Sequence, residues 1–188
     1  MRTKATIATG LALVLLGAAV ASALIADRAL VPEPAVAKPA KPLWTETQWP
    51  FPMDEWGQGK AFVCKAEDCG VEARLYVRAK IGFCNCTTGV SEDEELDRLT
   101  DFSLMGDKLV AAGPGRAVDV AWMKGRSRAY LASDRGRSAL AVAFNDRCDA
   151  IVATVVIGDD RPGDVEPSVM EFLNGKTVLR WAEVSLGL

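Results

Sequence analysis

The chain has 188 residues, 49% of them hydrophobic, which is enough for one globular domain with appended segments. Its formal net charge of -3 argues against general nucleic-acid binding, because that function needs a basic surface. The chain has no histidine, which excludes Ser-His and Cys-His nucleophile pairs and every metal site that uses imidazole.

Residues 1–26 predict an export signal. Arg2 and Lys4 precede an uncharged run over residues 5–26, which is long enough to cross a bilayer with its basic end in the cytoplasm. The small residues 21–23, Ala-Ser-Ala, also fit a cleavage site, so a cleaved signal peptide stays open. We favour an uncleaved anchor because of the segment that follows.

Residues 27–55 are predicted to form a proline-rich tether and a tryptophan-rich arm. The segment VPEPAVAKPAKP interleaves prolines and lysines with small residues. Such a composition cannot build a core and favours extended polyproline II. A stiff spacer directly after an apolar helix is typical of a tether that holds a domain away from a membrane.

The arm that follows the tether, here called the aromatic arm, concentrates large rings in a segment that prolines keep irregular. Two interpretations stay open. In the first, the rings pack over the domain. In the second, they form an exposed patch that binds a protein partner or the membrane interface. The residues concerned are Trp44, Trp49, Phe51 and Trp56.

Residues 56–188 are predicted to form a single disulfide-stabilised domain, with its clearest strand at residues 71–83. The odd positions of that segment are all apolar, whereas most even positions are polar or charged. This alternation predicts a strand with one buried and one solvated face, which is usual in antiparallel sheets. The predicted solvated face carries Arg74, Arg78 and Lys80, which could form a docking stripe for an acidic partner.

Five cysteines lie in this domain, and export would place them in an oxidising compartment. We expect two disulfide bonds, Cys64 with Cys69 across a hairpin and Cys148 with either Cys84 or Cys86. A zinc site made of Cys64, Cys69, Cys84 and Cys86 is a rival, although its spacings depart from the usual pairs. A third alternative uses Cys84 and Cys86 to bind copper(I) or to exchange disulfides.

Further elements are predicted along the rest of the domain. Ser91 with Glu94 resembles a capping box that opens a helix over residues 91–102, and a second helix begins at Asp164. A cluster of basic residues around one hairpin could bind an anion. That cluster comprises Lys124, Arg126, Arg128, Arg135 and Arg137. Strands are expected at residues 60–64, 117–123, 128–132, 139–144, 150–157 and 177–186.

The predicted fold class is therefore α+β: an antiparallel sheet of about six to seven strands, with two short helices covering one face. No phosphate loop, dinucleotide fingerprint, nucleophile elbow or metalloprotease motif occurs in the sequence. We therefore expect a non-enzymatic accessory or interaction module of the cell envelope, without a cofactor. It would be anchored in the inner membrane through residues 5–26 and exposed to the periplasm, or secreted, and would bind an envelope protein.

Overall fold

A single antiparallel sheet organises the computed structural model, which describes residues 42–83, 85–106, 108–132, 136–158 and 161–188. The predicted anchor and nearly all of the tether lie outside these residues. The sheet has eight strands in the order β1-β2-β3-β8-β7-β6-β4, and β5 pairs with β6 beside β4. The strands are β1 Thr45–Thr47, β2 Lys60–Cys64, β3 Ala73–Lys80, β4 Leu109–Ala111, β5 Arg116–Val120, β6 Met123–Ala132, β7 Ser138–Asp146 and β8 Asp149–Ile157.

The helices of the described residues are short. They are α1 Ala66–Cys69, α2 Asp93–Leu99, α3 Phe102–Met105, a 3-10 turn at Pro162–Val165, α4 Glu166–Leu173 and α5 Lys176–Leu186. Together with the antiparallel sheet, they confirm the predicted α+β class.

Both faces of the sheet are covered, and the prediction of a solvated face is wrong. Alternate residues of β7 separate into two hydrophobic clusters: Leu140 and Phe144 pack with α4 and α5, whereas Ala141 packs with Leu96 and Leu99 of α2. We call the side under α4 and α5 the helical face and the other side the opposite face. The continuous apolar runs of β7 and β8 fit strands that are buried on both sides.

The C-terminal segment is a helix, not the strand predicted at residues 177–186. Its buried residues are Val178, Ala182 and Leu186, which are spaced by four and therefore share one helical face. Gly187 ends the helix with a φ of 69°, a left-handed conformation that suits glycine. The β-branched pair at positions 177 and 178 favoured a strand, but packing against the sheet determines the outcome.

Two further expectations need correction. The helix α2 begins after Glu92 without a side-chain cap, so Ser91 and Glu94 do not form the expected capping box. Thr100 has a ψ of 145°, which ends α2 before Phe102 and separates it from α3. No strand was predicted between residues 104 and 116, but this segment contains β4, a three-residue edge strand too short to give an alternating pattern.

Candidate functional site

The cysteines form two disulfide bonds. Cys64 is bonded to Cys69, and Cys86 is bonded to Cys148 across a sequence separation of 62 residues. The rival zinc site does not form, because three of its four cysteines, Cys64, Cys69 and Cys86, are in disulfide bonds. No group of three or more metal-ligating side chains converges among the described residues. Cys84 lies outside the described residues. Cys86, its partner in the predicted copper(I) or disulfide-exchange site, is bonded to Cys148.

A buried ion cluster replaces the predicted basic stripe. The side chain of Arg78 is 2% exposed and lies between two carboxylates. Its Nη1 atom lies 2.7 Å from each oxygen of Asp54, while Nε donates to Asp101 Oδ2 at 3.1 Å and Nη2 contacts Asp101 Oδ1. Lys80 Nζ lies 2.9 Å from Asp101 Oδ1. We call these four residues the Arg78 cluster.

The charges of the Arg78 cluster stabilise one another. The hydrogen bond from Arg78 lowers the pKa of Asp54 below its ordinary value. Burial opposes the charge of Arg78, but its hydrogen bonds to Asp101 and Asp54 outweigh that penalty and raise its pKa. Arg78 and Lys80 thus form buried ion pairs with Asp101 and cannot form an exposed stripe. Arg74 is exposed and contacts Glu72 at 3.1 Å.

The aromatic arm packs on the domain. Trp44 stacks on Phe172 of α4 with ring centroids 5.4 Å apart. Trp49 and Phe51 contact the ring of Tyr76 at 6.1 and 4.9 Å. Trp56 lies 5.3 Å from Lys80 Nζ, and Trp49 lies 6.0 Å from the guanidinium of Arg78. These contacts agree with the packed interpretation of the arm, and binding of a partner by its remaining exposed area stays a prediction.

The basic hairpin does not present a free anion site at the positions that the structure describes. Arg126 contacts Asp93, and Arg128 Nη1 lies 2.8 Å from Asp97 of the same helix. The backbone N–H of Gly115 and the side chain of Arg126 both lower the pKa of Asp93. Lys124 lies 2.5 Å from Asp119. Three of the predicted anion-binding cations are thus already matched by carboxylates of the chain, while Arg135 lies outside the described residues.

An apolar groove opens beside α5, at the edge of the helical face. It encloses about 390 Å³ between this helix and the strands β1, β2 and β3. Phe62 and Val77 belong to its sheet side, and Val178, Trp181 and Val184 to its helix side. The polar lining residues are Glu46, Lys60, Thr177 and Arg180. We call this space the α5 groove.

Val184 is the most exposed apolar residue of the α5 groove, whereas Phe62, Val77 and Val178 are buried at its base. The side chain of Val184 is 77% exposed, more than any other large hydrophobic residue that the structure describes. The groove also adjoins β1, whose three residues are exposed and which, among the described strands, pairs with β2 alone. An apolar concavity beside a free sheet edge is suited to binding a polypeptide. The sequence prediction missed this site because it treated α5 as a strand.

Comparisons with known proteins do not assign this site. No family model matches the chain, and no curated protein is similar to it. Within the described parts of the chain, no helix combines the length and apolar character needed to cross a bilayer. The predicted anchor at residues 5–26 lies outside those parts.

Proposed function

We propose that this protein is a non-enzymatic interaction module of the cell envelope and that the α5 groove binds an envelope protein. Residues 5–26 would hold the domain on the extracytoplasmic side of a membrane. The observation that carries the proposal is the apolar groove with the exposed Val184 on its helix side. Binding sites on proteins are typically concave and lined mainly by apolar side chains with a few polar groups, as this groove is.

The chemistry of the groove supports binding rather than catalysis. Its walls are mainly aliphatic and aromatic, and its charged groups are one carboxylate, Glu46, and two cations, Lys60 and Arg180. Lys60 Nζ lies 2.5 Å from Glu46 Oε1, so neither group is positioned as an unpaired acid or base. The two disulfide bonds also suit an oxidising compartment.

Site-specific photo-crosslinking in cells that produce the full chain tests this function. A photoreactive residue replaces Val184, and the same residue replaces Val110 as a matched control. Val110 is also an exposed valine, at 61%, but lies on β4 at the other edge of the sheet. We expect a discrete protein adduct from position 184 and none from position 110. An absence of adducts from position 184, or identical adducts from both positions, would overturn the proposal.

A second variant checks that the groove itself is responsible. The photoreactive residue is placed at Thr177, which also lines the groove, and Val184→Arg is added to the same chain. Val184 is exposed, so the arginine is compatible with folding. We expect the adduct from position 177 to fall at least several-fold. An unchanged adduct would contradict binding in the groove.

A further inference from the structure

We propose that the occupant of the α5 groove is an extended polypeptide segment that pairs with the free edge of β1. It would insert apolar side chains into the groove and direct an acidic side chain towards Arg180. This inference rests on the proposed function and specifies the chemistry of the partner. Three observations carry it: the open edge, the position of the groove relative to that edge, and the charges around it.

The first observation is the free edge. The strand β1 pairs with β2 through Glu46 opposite Phe62, and no described strand lies on its other side. An edge strand presents unpaired backbone N–H and C=O groups, which an added strand can bind. The edge is short and is flanked by Pro42 and Pro50, so it offers only a few backbone hydrogen bonds. Side-chain contacts must therefore supply much of the affinity.

The second observation is that the groove lies where such side chains would point. Glu46 aligns with Phe62, and both residues line the groove, so this register position faces the helices. Neighbouring strands lie about 4.8 Å apart, and alternate residues of a strand share one face. An added strand would therefore direct every second side chain towards the helical face, on which the groove opens.

The third observation is the charge around the groove. Glu46 and Lys60 are paired with each other, whereas Arg180 forms no ion pair with any described residue. The lining thus retains one unmatched positive charge, which favours an acidic side chain on the partner. A second copy of the chain fits less well, because two-fold pairing of β1 centred on Glu46 would place two carboxylates opposite each other.

A peptide selection tests the chemistry of the occupant. The probe is a phage-displayed library of random twelve-residue peptides, and the target is the full chain in lipid nanodiscs. Parallel selections use Arg180→Glu and, to remove groove-dependent binders, Val184→Arg. We expect wild-type binders with alternating apolar residues and one acidic residue, and a basic residue in its place for Arg180→Glu. Failure to obtain groove-dependent binders, or an unchanged charge preference, would overturn the inference.

A scan of backbone N-methylation on the best synthetic peptide tests strand pairing directly. In an added strand, alternate amides face the protein edge, and the others face solvent. We expect methylation to weaken binding by about tenfold or more at alternate positions only, since each blocked amide also introduces a steric clash. Uniform effects, or effects that recur every three or four residues as in a helix, would refute strand addition.

The two proposals fail in different ways. Adducts from position 184 in cells, combined with a methylation scan in which every position weakens binding equally, would support the proposed function and contradict an extended partner. Conversely, an absence of adducts from position 184 would remove the proposed function, whatever peptides the library yields.

Discussion

Arg78 illustrates what an alternating pattern does and does not predict. The alternation correctly identified a strand around this residue, but it wrongly assigned Arg78 to a solvent-exposed face. The burial of Arg78 depends on Asp54 and Asp101, which lie 24 and 23 residues away in the chain. A buried charge is tolerated only when it is paired and hydrogen-bonded, so its place depends on these distant partners. Local sequence contains no signal for such pairing.

The Arg78 cluster gives the first prediction on stability. Arg78→Met keeps much of the side-chain volume but leaves Asp101 buried with Lys80 as its remaining cation. We expect the free energy of unfolding in urea to fall by about 3 kcal/mol, because two carboxylates, Asp54 and Asp101, would then share the single positive charge of Lys80. The matched control is Arg74→Met, since Arg74 is on the same strand but its side chain is 62% exposed. That control should lose less than about 1 kcal/mol. Equal losses would contradict a structural role for the cluster.

At the scale of elements, the accuracy of prediction depended on length and on turn chemistry. The hairpin of β7 and β8 was predicted well, because two apolar runs flank a short polar turn at Arg147 and Cys148. The strands β1 and β4 were not predicted, since three residues cannot establish a period. The helix α5 was predicted as a strand, and the groove beside it was therefore not predicted. The candidate site was thus harder to predict than the fold.

The pairing of β6 with β7 gives a prediction at this scale. A Cβ atom at Gly125 would lie 2.1 Å from the carbonyl oxygen of Ala143 and 2.7 Å from the Cα atom of Phe144. Gly125→Ala must therefore push two central strands apart, and we expect a loss of about 1–3 kcal/mol in the free energy of unfolding. Gly113→Ala is the control, since nothing lies within 4 Å of its added Cβ atom. A control loss as large as that of Gly125→Ala would show that the close approach is not the cause.

At the scale of the whole molecule, the chain stabilises a sheet that is covered on both faces. The helices α4 and α5 follow the last strand in sequence and cover the helical face. Correct assignment of both helices from the sequence would therefore have predicted this layer. The opposite face is covered by α2 and by Trp49 and Phe51 of the aromatic arm, which come from distant parts of the chain. The sequence pattern therefore predicted the class of the fold. It did not predict the layer on the opposite face, because that layer depends on contacts between residues that are distant in sequence.

The two disulfide bonds should contribute unequally to the stability of the molecule. Cys86–Cys148 spans 62 residues, whereas Cys64–Cys69 spans 5. The chain-entropy relation gives losses of about 4 kcal/mol for Cys86→Ser with Cys148→Ser, and about 2 kcal/mol for Cys64→Ser with Cys69→Ser. Urea unfolding of the two double variants under non-reducing conditions measures both values. Equal losses, or a larger loss for the short bridge, would contradict this ranking.

The order of contacts along the aromatic arm has a mechanical consequence. If the chain is pulled through the residues that precede Pro42, tension reaches Trp44 and β1 before it reaches Asp54. The strand β1 pairs with β2 through only three residues, whereas Asp54 is tied to the interior through Arg78. Tension would therefore load β1 before the contacts of Trp49 and Phe51 with Tyr76 and before the Arg78 cluster. The edge proposed to bind a partner would thus be the first strand to bear load, and we expect binding there to weaken when the chain is pulled from its N-terminal side.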